Sequence, residues 1–493
     1  MKKYTVNTFR IAVYSLALMF FFGCTAFCAE ALTFQDLMKP EFFPHAQHGM
    51  AVISSVQNKG NIEITTTGAR ILINERKGEL DFNQRIGHPR LLAVMDLGSG
   101  LKGARITHAT DGMVIIEIDN PSLTIRVNGD SLIMLHAKRP VTARIHSKIA
   151  PAWDASYKTD HILADKWGAF GLYCSDIDLN DNYNTNNPLL AEYALPTDAV
   201  LWLGVGPPKP YDWKTSLNDQ VVWHWSAENA YPSDDALRSW KKYGNIVLLQ
   251  SEMMLWKDWQ LDFIPRTGVN EFNRVRNTIH EQNMRLIVYA SPYYFLKGTS
   301  KEKNAMHNFS EHGFFHGVNS TSIGENMEVF LQAITRLKSD LKPDGFWFDG
   351  LYNDNPAAMY ALMRRARDLL GEKGILEVHS TLGLGDGAYT MCYIPQVDAY
   401  ADFNLRGENQ VEYYSDAKYL RYYVSGYNIS NSVGVLCNNS PAPPPTSKLV
   451  DNVLAANARM HFLAEWADYP DAVQAYHYYR SQLTTDLMGS VDR

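Results

Sequence analysis

Cysteine is scarce in this chain: five residues in 493, at positions 24, 28, 174, 392 and 437. Two of them fall in the first 31 residues. The other three are widely spaced, odd in number and form no CxxC, so neither a disulfide framework nor a zinc site is indicated. Buried free thiols are the expectation. Positive charge is also in deficit: 46 Lys and Arg face 53 Asp and Glu, for a net charge of −7. With no basic patch, nucleic acid is not an expected partner. No GxGxxG or GxxxxGK[ST] follows an apolar run, which removes the usual nucleotide-binding signals. There is no GxSxG elbow and no histidine pair at metal-ligand spacing, so an esterase or a metal- and base-dependent lyase has little support. "DIDLNDN", with Asp176, Asp178 and Asn180, begins like a calcium loop. It lacks the glycine at the sixth position and the glutamate at the twelfth, where Asn187 stands, and reads as a turn. No cofactor and no metal is expected.

Long apolar runs are confined to the N-terminus. Lys2, Lys3 and Arg10 precede "IAVYSLALMFFFG", which is short for a membrane span, and Ala29-Glu30-Ala31 supplies small residues for cleavage. Residues 1–31 read as a signal peptide. Gly23-Cys24 offers a competing lipoprotein cleavage, with Phe21 where Leu is usual. Removing residues 1–31 takes away three Lys or Arg and one Glu, moving the net charge from −7 to −9. The expectation is an exported protein, periplasmic or extracellular, with no stable membrane span and with Cys24 as the one candidate lipid anchor. No oligomeric state is implied.

What is present is an ordinary globular composition, 46% hydrophobic and 20% charged, with 27 Tyr and 11 Trp. Residues 32–215 carry short alternating runs such as "NIEITTTGARILIN" and "GMVIIEIDNPSLTIRVNGDSLIMLHA", with "VNGDS" as a hairpin signal. This pattern predicts an antiparallel β-sandwich. Pro207, Pro208 and Pro210 mark a linker. Residues 216–493 switch to strand–loop–helix: "QVVWHW", "NIVLLQS", "RLIVYASP", "GFWFDG", "ILEVHS", "VDAYADFN" and "SVGVLCNN" as strands, with helical segments between them. Near-continuously apolar strands alternating with helices predict a parallel (β/α)8-like barrel. No eighth strand is legible: "TSKLVDNVLAANARMHFLAEW" and "DAVQAYHYYRSQLTTDLM" both read as helices.

Barrel chemistry sits at the C-terminal ends of the strands. That rule selects Trp225 after the first strand, Trp256 and Trp259 after the second, and Tyr293 after the third. It selects Asp349 at the end of the fourth strand, with Tyr352 following, and Glu377 and His379 on the fifth. Asp402, Arg406 and Glu408 lie on and after the sixth. Carboxylates with aromatic platforms suit glycosidic cleavage: one acid protonates the leaving oxygen, and the other attacks the anomeric carbon or activates water. Aromatic faces stack on sugar rings while their polar tips reach hydroxyls.

"PDGFWFDG", ending on Asp349, resembles the fourth-strand nucleophile motif of retaining glycoside hydrolases, notably the α-L-fucosidase family. "NMRLIVYASP" resembles that family's third-strand segment. A β-sandwich before a barrel is instead similar to the α-galactosidase and α-glucosidase clan, where an Asp after strand four is the nucleophile and an Asp after strand six the acid. The clan's Lys two residues before its Asp is here Trp347. The α-amylase group shares the strand-four Asp and places its acid Glu on strand five. These resemblances cover residues 219–440 and imply Asp349 as nucleophile. They leave Glu408, Asp402 and Glu377 as rivals for the acid/base.

Each of these residues has a plain structural reading as well. Asp349 could cap the Gly350 turn, Glu377 could be a paired core charge, and Arg406 a solvated loop residue. Trp256, Trp259, Tyr293 and Tyr352 could be packing, and His224, a candidate hydroxyl ligand between two tryptophans, reads better as a satisfied structural histidine. The expected function is hydrolysis of O-glycosidic bonds in oligo- or polysaccharides or glycoconjugates. The rival is a non-catalytic carbohydrate-binding protein on a degenerate barrel.

Overall fold

The computed structural model describes residues 32–98, 100–149, 162–164, 167–176, 179, 189–210, 213–226, 229–250, 255–257, 263–292, 306–308, 314–316, 324–349, 356–379, 395–408, 432–436, 445–455 and 459–483. The leader and its two cleavage candidates lie outside these residues, as do Cys392 and Cys437.

The first 206 residues hold two seven-stranded sheets. One runs in the order Val52–Asn58, Asn61–Thr66, Ala69–Asn74, Glu79–Gln84, Arg90–Asp96, Val141–Ser147, Leu189–Leu195. The other runs Ile162–Ala164, Ala169–Cys174, Val200–Gly206, Leu132–Ala137, Leu123–Asn128, Met113–Ile118, Arg105–Ala109. All the pairings that join these strands are antiparallel. Alternation sets their faces: Ile62 and Ile64 are buried while Asn61 is exposed. Isoleucines and leucines from both sheets form one shared core, as a sandwich requires. Cys174 lies in that core, and burial pushes its thiol up to about 11.

The second sheet departs from simple alternation. Leu123–Asn128 and Val200–Gly206 are buried at every position. Leu132, Met134 and Trp202, on the face turned away from the sandwich core, join the core of the remaining chain. The second sheet is therefore an inner layer, covered on both sides.

Eight parallel strands follow. Seven are Val221–His224, Ile246–Leu249, Arg285–Ala290, Gly345–Phe348, Ile375–His379, Phe403–Glu408 and Ser432–Leu436. The eighth, Phe462–Leu463, pairs with the first, giving the order 8-1-2-3-4-5-6-7. Among the described residues no pairing joins the seventh to the eighth. Helices precede or follow these strands. In Val269–Glu281 the residues spaced for one face, Phe272, Val275 and Ile279, are all buried. Ser233 caps the helix Asp234–Trp240 by accepting from the Ala236 amide. Gly345 opens the fourth strand where a Cβ would run into the Ile375 carbonyl oxygen, so strands four and five approach closely only because the position is glycine.

Two segments differ from expectation. Residues 397–402 are not strand: Pro395–Asp398 is a short helix and the sixth strand starts at Phe403. Of the helix expected over 446–466, Ser447–Ala455 is helical, and the eighth strand emerges at Phe462, where the ring of Tyr243 stacks at 3.9 Å. Two residues carry no periodicity, which is why that strand is invisible in the sequence.

The two parts meet through buried polar groups. The carboxylate of Asp130, on the Asn128–Ser131 turn, accepts from the hydroxyls of Tyr360 and Tyr400, each at 2.6 Å. Arg364 donates to the Tyr360 hydroxyl at 2.8 Å and lies 3.8 Å from Asp130, and Asn128 donates to the same hydroxyl. Asp130 and Tyr360 are fully buried, and Tyr400 and Arg364 nearly so. Burial pushes both tyrosine hydroxyls well above their usual range. Removing one partner of such a cluster strands the other charge. Asp130→Ala should therefore lose about 3–5 kcal/mol of stability, read as a lower denaturant midpoint at unchanged slope.

Candidate functional site

The C-terminal end of the parallel sheet is built on aromatic rings. Trp347 on strand four lies between Trp223 on strand one, at 6.4 Å between ring centroids, and Tyr289 on strand three, at 5.2 Å. Contact between strands one and four, which are not neighbours in the sheet, places both indoles on its inner face. Asp349 is two residues beyond Trp347 and so shares that face. Three bonds fix it. Its amide donates to the Ala290 carbonyl, its carbonyl accepts from Ser291 Oγ at 2.7 Å, and its Oδ2 accepts from the Tyr289 hydroxyl at 3.0 Å. The result is a half-buried carboxylate on a rigid backbone, above an aromatic floor and hydrogen-bonded by a phenol.

Glu377 stands in register with Trp347 on one side and Phe403 on the other. It is fully buried, and its Oε1 accepts from Nε2 of the buried His461 at 2.6 Å. Its Oε2 has no hydrogen-bond partner. His379 ends the fifth strand, one residue past Val378, which is in register with Phe348. Glu408 is the last residue of the sixth strand, at the same end of the sheet as Asp349. Arg406 sits where that strand's register shifts, between Leu405 and Gly407. The side chains of His379, Arg406 and Glu408 lie outside the described residues.

Asp402 belongs elsewhere. It precedes the sixth strand, and its Oδ2 accepts from Arg367 at 2.6 Å and from the Leu376 amide at 2.8 Å. These contacts sit where strands five and six begin, the opposite end from Asp349. Its job there is to bind a buried arginine to two strand ends. Trp256 is also displaced from the expected role. It is fully buried, with Phe272 stacked on it and Phe263 at its edge, and it donates to the Tyr289 carbonyl at 3.0 Å. It props up the third strand and has no face left for a ligand. His224 bonds the Asn229 carbonyl and packs on Trp240, and burial lowers its pKa, so it is a structural histidine. Trp225 is 36% exposed after the first strand and has surface to offer. Trp259, Tyr293 and Tyr352 lie outside the described residues, as do Asp178 and Asn180.

Sequence reasoning places Tyr289 at the end of strand three, in the aromatic mouth, without giving it a role. It misses His461, which precedes a two-residue strand and carries no signal.

No family model matches the chain, and no curated protein matches it, so the families suggested by "PDGFWFDG" stay resemblances. Solved structures do align. The chain is similar to a GH31 dextranase of Flavobacterium johnsoniae complexed with isomaltotriose, at 10% identity and TM-score 0.42, covering 91% of this chain and 71% of that one. It is similar to the cycloalternan-forming enzyme of Listeria monocytogenes, at 10% identity and TM-score 0.44 over 90% of this chain. The chain spans just over half, 56%, of that enzyme's length. It is also similar to an alpha-galactosidase of Thermus thermophilus, at 10% identity and TM-score 0.42, covering 89% and 94% of the two chains. Likeness at this level carries no argument about activity, which has to rest on the residues themselves.

Near Asp402, His48 is held between the two parts of the chain. Its Nδ1 lies 3.2 Å from Glu372 and its Nε2, 4.0 Å from Asp402, has no hydrogen-bond partner. Burial, with Lys209 and Arg367 nearby, pushes its pKa down to about 2. The unfolded chain takes up this proton near the ordinary value of about 6.5 while the folded chain does not. His48 thus costs nothing above pH 6.5 and destabilises the fold progressively as pH falls below it. Replacing it by Gln should flatten the acid limb of the stability curve by up to about 1.4 kcal/mol per pH unit, measured by urea melts between pH 7 and pH 4.

Proposed function

We infer that the chain is an exported glycoside hydrolase working by retention, with its parallel sheet closed as a (β/α)8-like barrel. The observation that carries this reading is the Asp349 carboxylate. It stands at the C-terminal end of the fourth parallel strand, hydrogen-bonded by Tyr289 and floored by Trp347 and Trp223. In this mechanism an Asp349 oxygen attacks the anomeric carbon as the bond to the leaving oxygen breaks. Glu408, at the end of strand six, gives that oxygen a proton and then takes one from the water that releases the sugar. The Tyr289 hydroxyl orients the nucleophile. Trp225, Trp259, Tyr293 and Tyr352 are the candidate sugar platforms, with His379 and Arg406 as polar partners at the rim. The apolar leader and Ala29-Glu30-Ala31 support export. Among the described residues no helix is long and apolar enough to cross a membrane.

A screen of aryl α- and β-glycosides tests this. Asp349→Asn should lose about 10³-fold or more in kcat/KM with an unchanged melting temperature. Tyr289→Phe, which removes one hydrogen bond to a charged group, should lose roughly 10- to 100-fold. NMR of the first sugar released should show the substrate's own anomer. Near-normal turnover by the Asn variant would remove Asp349 from the role. Saccharide binding with no turnover of any glycoside would favour the carbohydrate-binding reading instead.

A further inference from the structure

The geometry points to Glu377 and His461 as a built-in reader of one sugar hydroxyl, lying deeper in the sheet's inner face than Asp349. The inference rests on the carbohydrate reading above and adds a specificity-determining contact to it.

Glu377 is a fully buried carboxylate with only half of its hydrogen bonding satisfied. Oε1 is held by His461 at 2.6 Å, and Oε2 has no partner. A buried carboxyl oxygen left without a hydrogen bond costs free energy. The other fully buried carboxylate among the described residues, Asp130, shows how such a group is satisfied where it serves structure: its Oδ2 accepts from two tyrosine hydroxyls and its Oδ1 from the Leu132 amide. The bare oxygen of Glu377 therefore calls for a partner that is not part of the fold.

Position says what that partner is. Glu377 is in register with Trp347, and Asp349 is two residues beyond Trp347 on the adjacent strand. The two acids thus share the inner face, offset by about 6.6 Å along the strands. A pyranose ring whose anomeric carbon meets Asp349 spans that offset and brings a ring hydroxyl to Oε2. Trp347, fully buried, stands in register beside Glu377. A hydroxyl donates one hydrogen bond to a carboxylate oxygen, and an ionised carboxylate can only accept. His461 is the positioning residue. Its Nε2–H holds Oε1, and its ring lies edge-on to Phe403 at 6.4 Å. A site built to pair a hydroxyl discriminates strongly against an analogue lacking it.

The test is titration calorimetry on the full chain with D-glucose, D-galactose, D-mannose, D-xylose and L-fucose and their monodeoxy forms. Wild type should bind one parent sugar and bind one of its monodeoxy forms markedly less well. Glu377→Gln should weaken the parent sugar about 10- to 100-fold and leave that deoxy form unaffected, with a melting temperature no lower than wild type. Should the Gln variant fail to fold, Glu377→Asp carries the same test, since it keeps the charge but retracts it by one methylene. His461→Leu should blunt the parent-to-deoxy discrimination without changing affinity for the deoxy sugar. Equal losses for parent and every deoxy form, or a lower melting temperature with unchanged affinity, would make the pair structural and overturn the inference while leaving the glycosidase reading intact. A wild-type protein that neither binds these sugars nor turns over any glycoside would overturn both.

Discussion

The buried carboxylate of Asp130 is the contact on which the rest of the arrangement depends. It sits on a tight turn of the inner antiparallel sheet and takes two tyrosine hydroxyls from the parallel part. Tyr360 lies on Pro356–Leu370, the helix that follows the strand carrying Asp349. Tyr400 lies three residues before the strand carrying Glu408. A single anion thus ties down the segments on either side of the fifth strand. Arg364, stacked over the Phe43 ring at 4.4 Å, closes the cluster from the N-terminal side. Docking by charge has a physical advantage over docking by apolar contact alone. A one-residue shift of the helix would leave the anion unpaired at a cost of several kcal/mol, whereas apolar surfaces slide at smaller cost.

That constraint explains why the second sheet is buried on both faces. The antiparallel half is no appendage: Leu132, Met134 and Trp202 belong to the same core as the parallel strands. Gln396, in the short helix before strand six, donates to the Val205 carbonyl, and Gly204 beside it has no room for a Cβ. A contact from the sandwich thus reaches the segment just before strand six.

Much of this was legible in the sequence, and what escaped has physical causes. "GFWFDG" and "RLIVYASP" read correctly because strands buried on both faces are continuous apolar runs with abrupt polar ends. "VDAYADFN" misled because Val397, Ala399 and Ala401 alternate as a strand would. Pro395 instead starts a helical turn there, which is what carries Asp402 to the wrong end for chemistry. Trp256 was readable as buried or as platform, and composition cannot choose between them. Its indole proton goes to the Tyr289 carbonyl, a pairing across 33 residues that no local pattern encodes. Phe462–Leu463 is held by its neighbours, Tyr243, Trp466 and Tyr476, and not by any propensity of its own.

The buried acids of this fold can be ranked by how fully each is answered, and the ranking separates scaffold from site. Asp130 is answered on both oxygens, Oδ2 by two tyrosine hydroxyls and Oδ1 by the Leu132 amide, and the half-buried Asp402 is held through Oδ2 by an arginine and a backbone amide. They are what stability requires of a charge in a low-dielectric interior. Glu377 is buried as deeply as Asp130 and answered on one oxygen only. Replacing such an acid together with its partner by well-packed apolar residues is often neutral or stabilising, so keeping a half-answered pair has a cost in stability that packing does not repay. The imbalance falls on the strand beside Asp349, on the face where Trp347 and Trp223 meet. Among the buried acids of the described residues, the bare oxygen thus falls where a hydroxylated ligand would complete it.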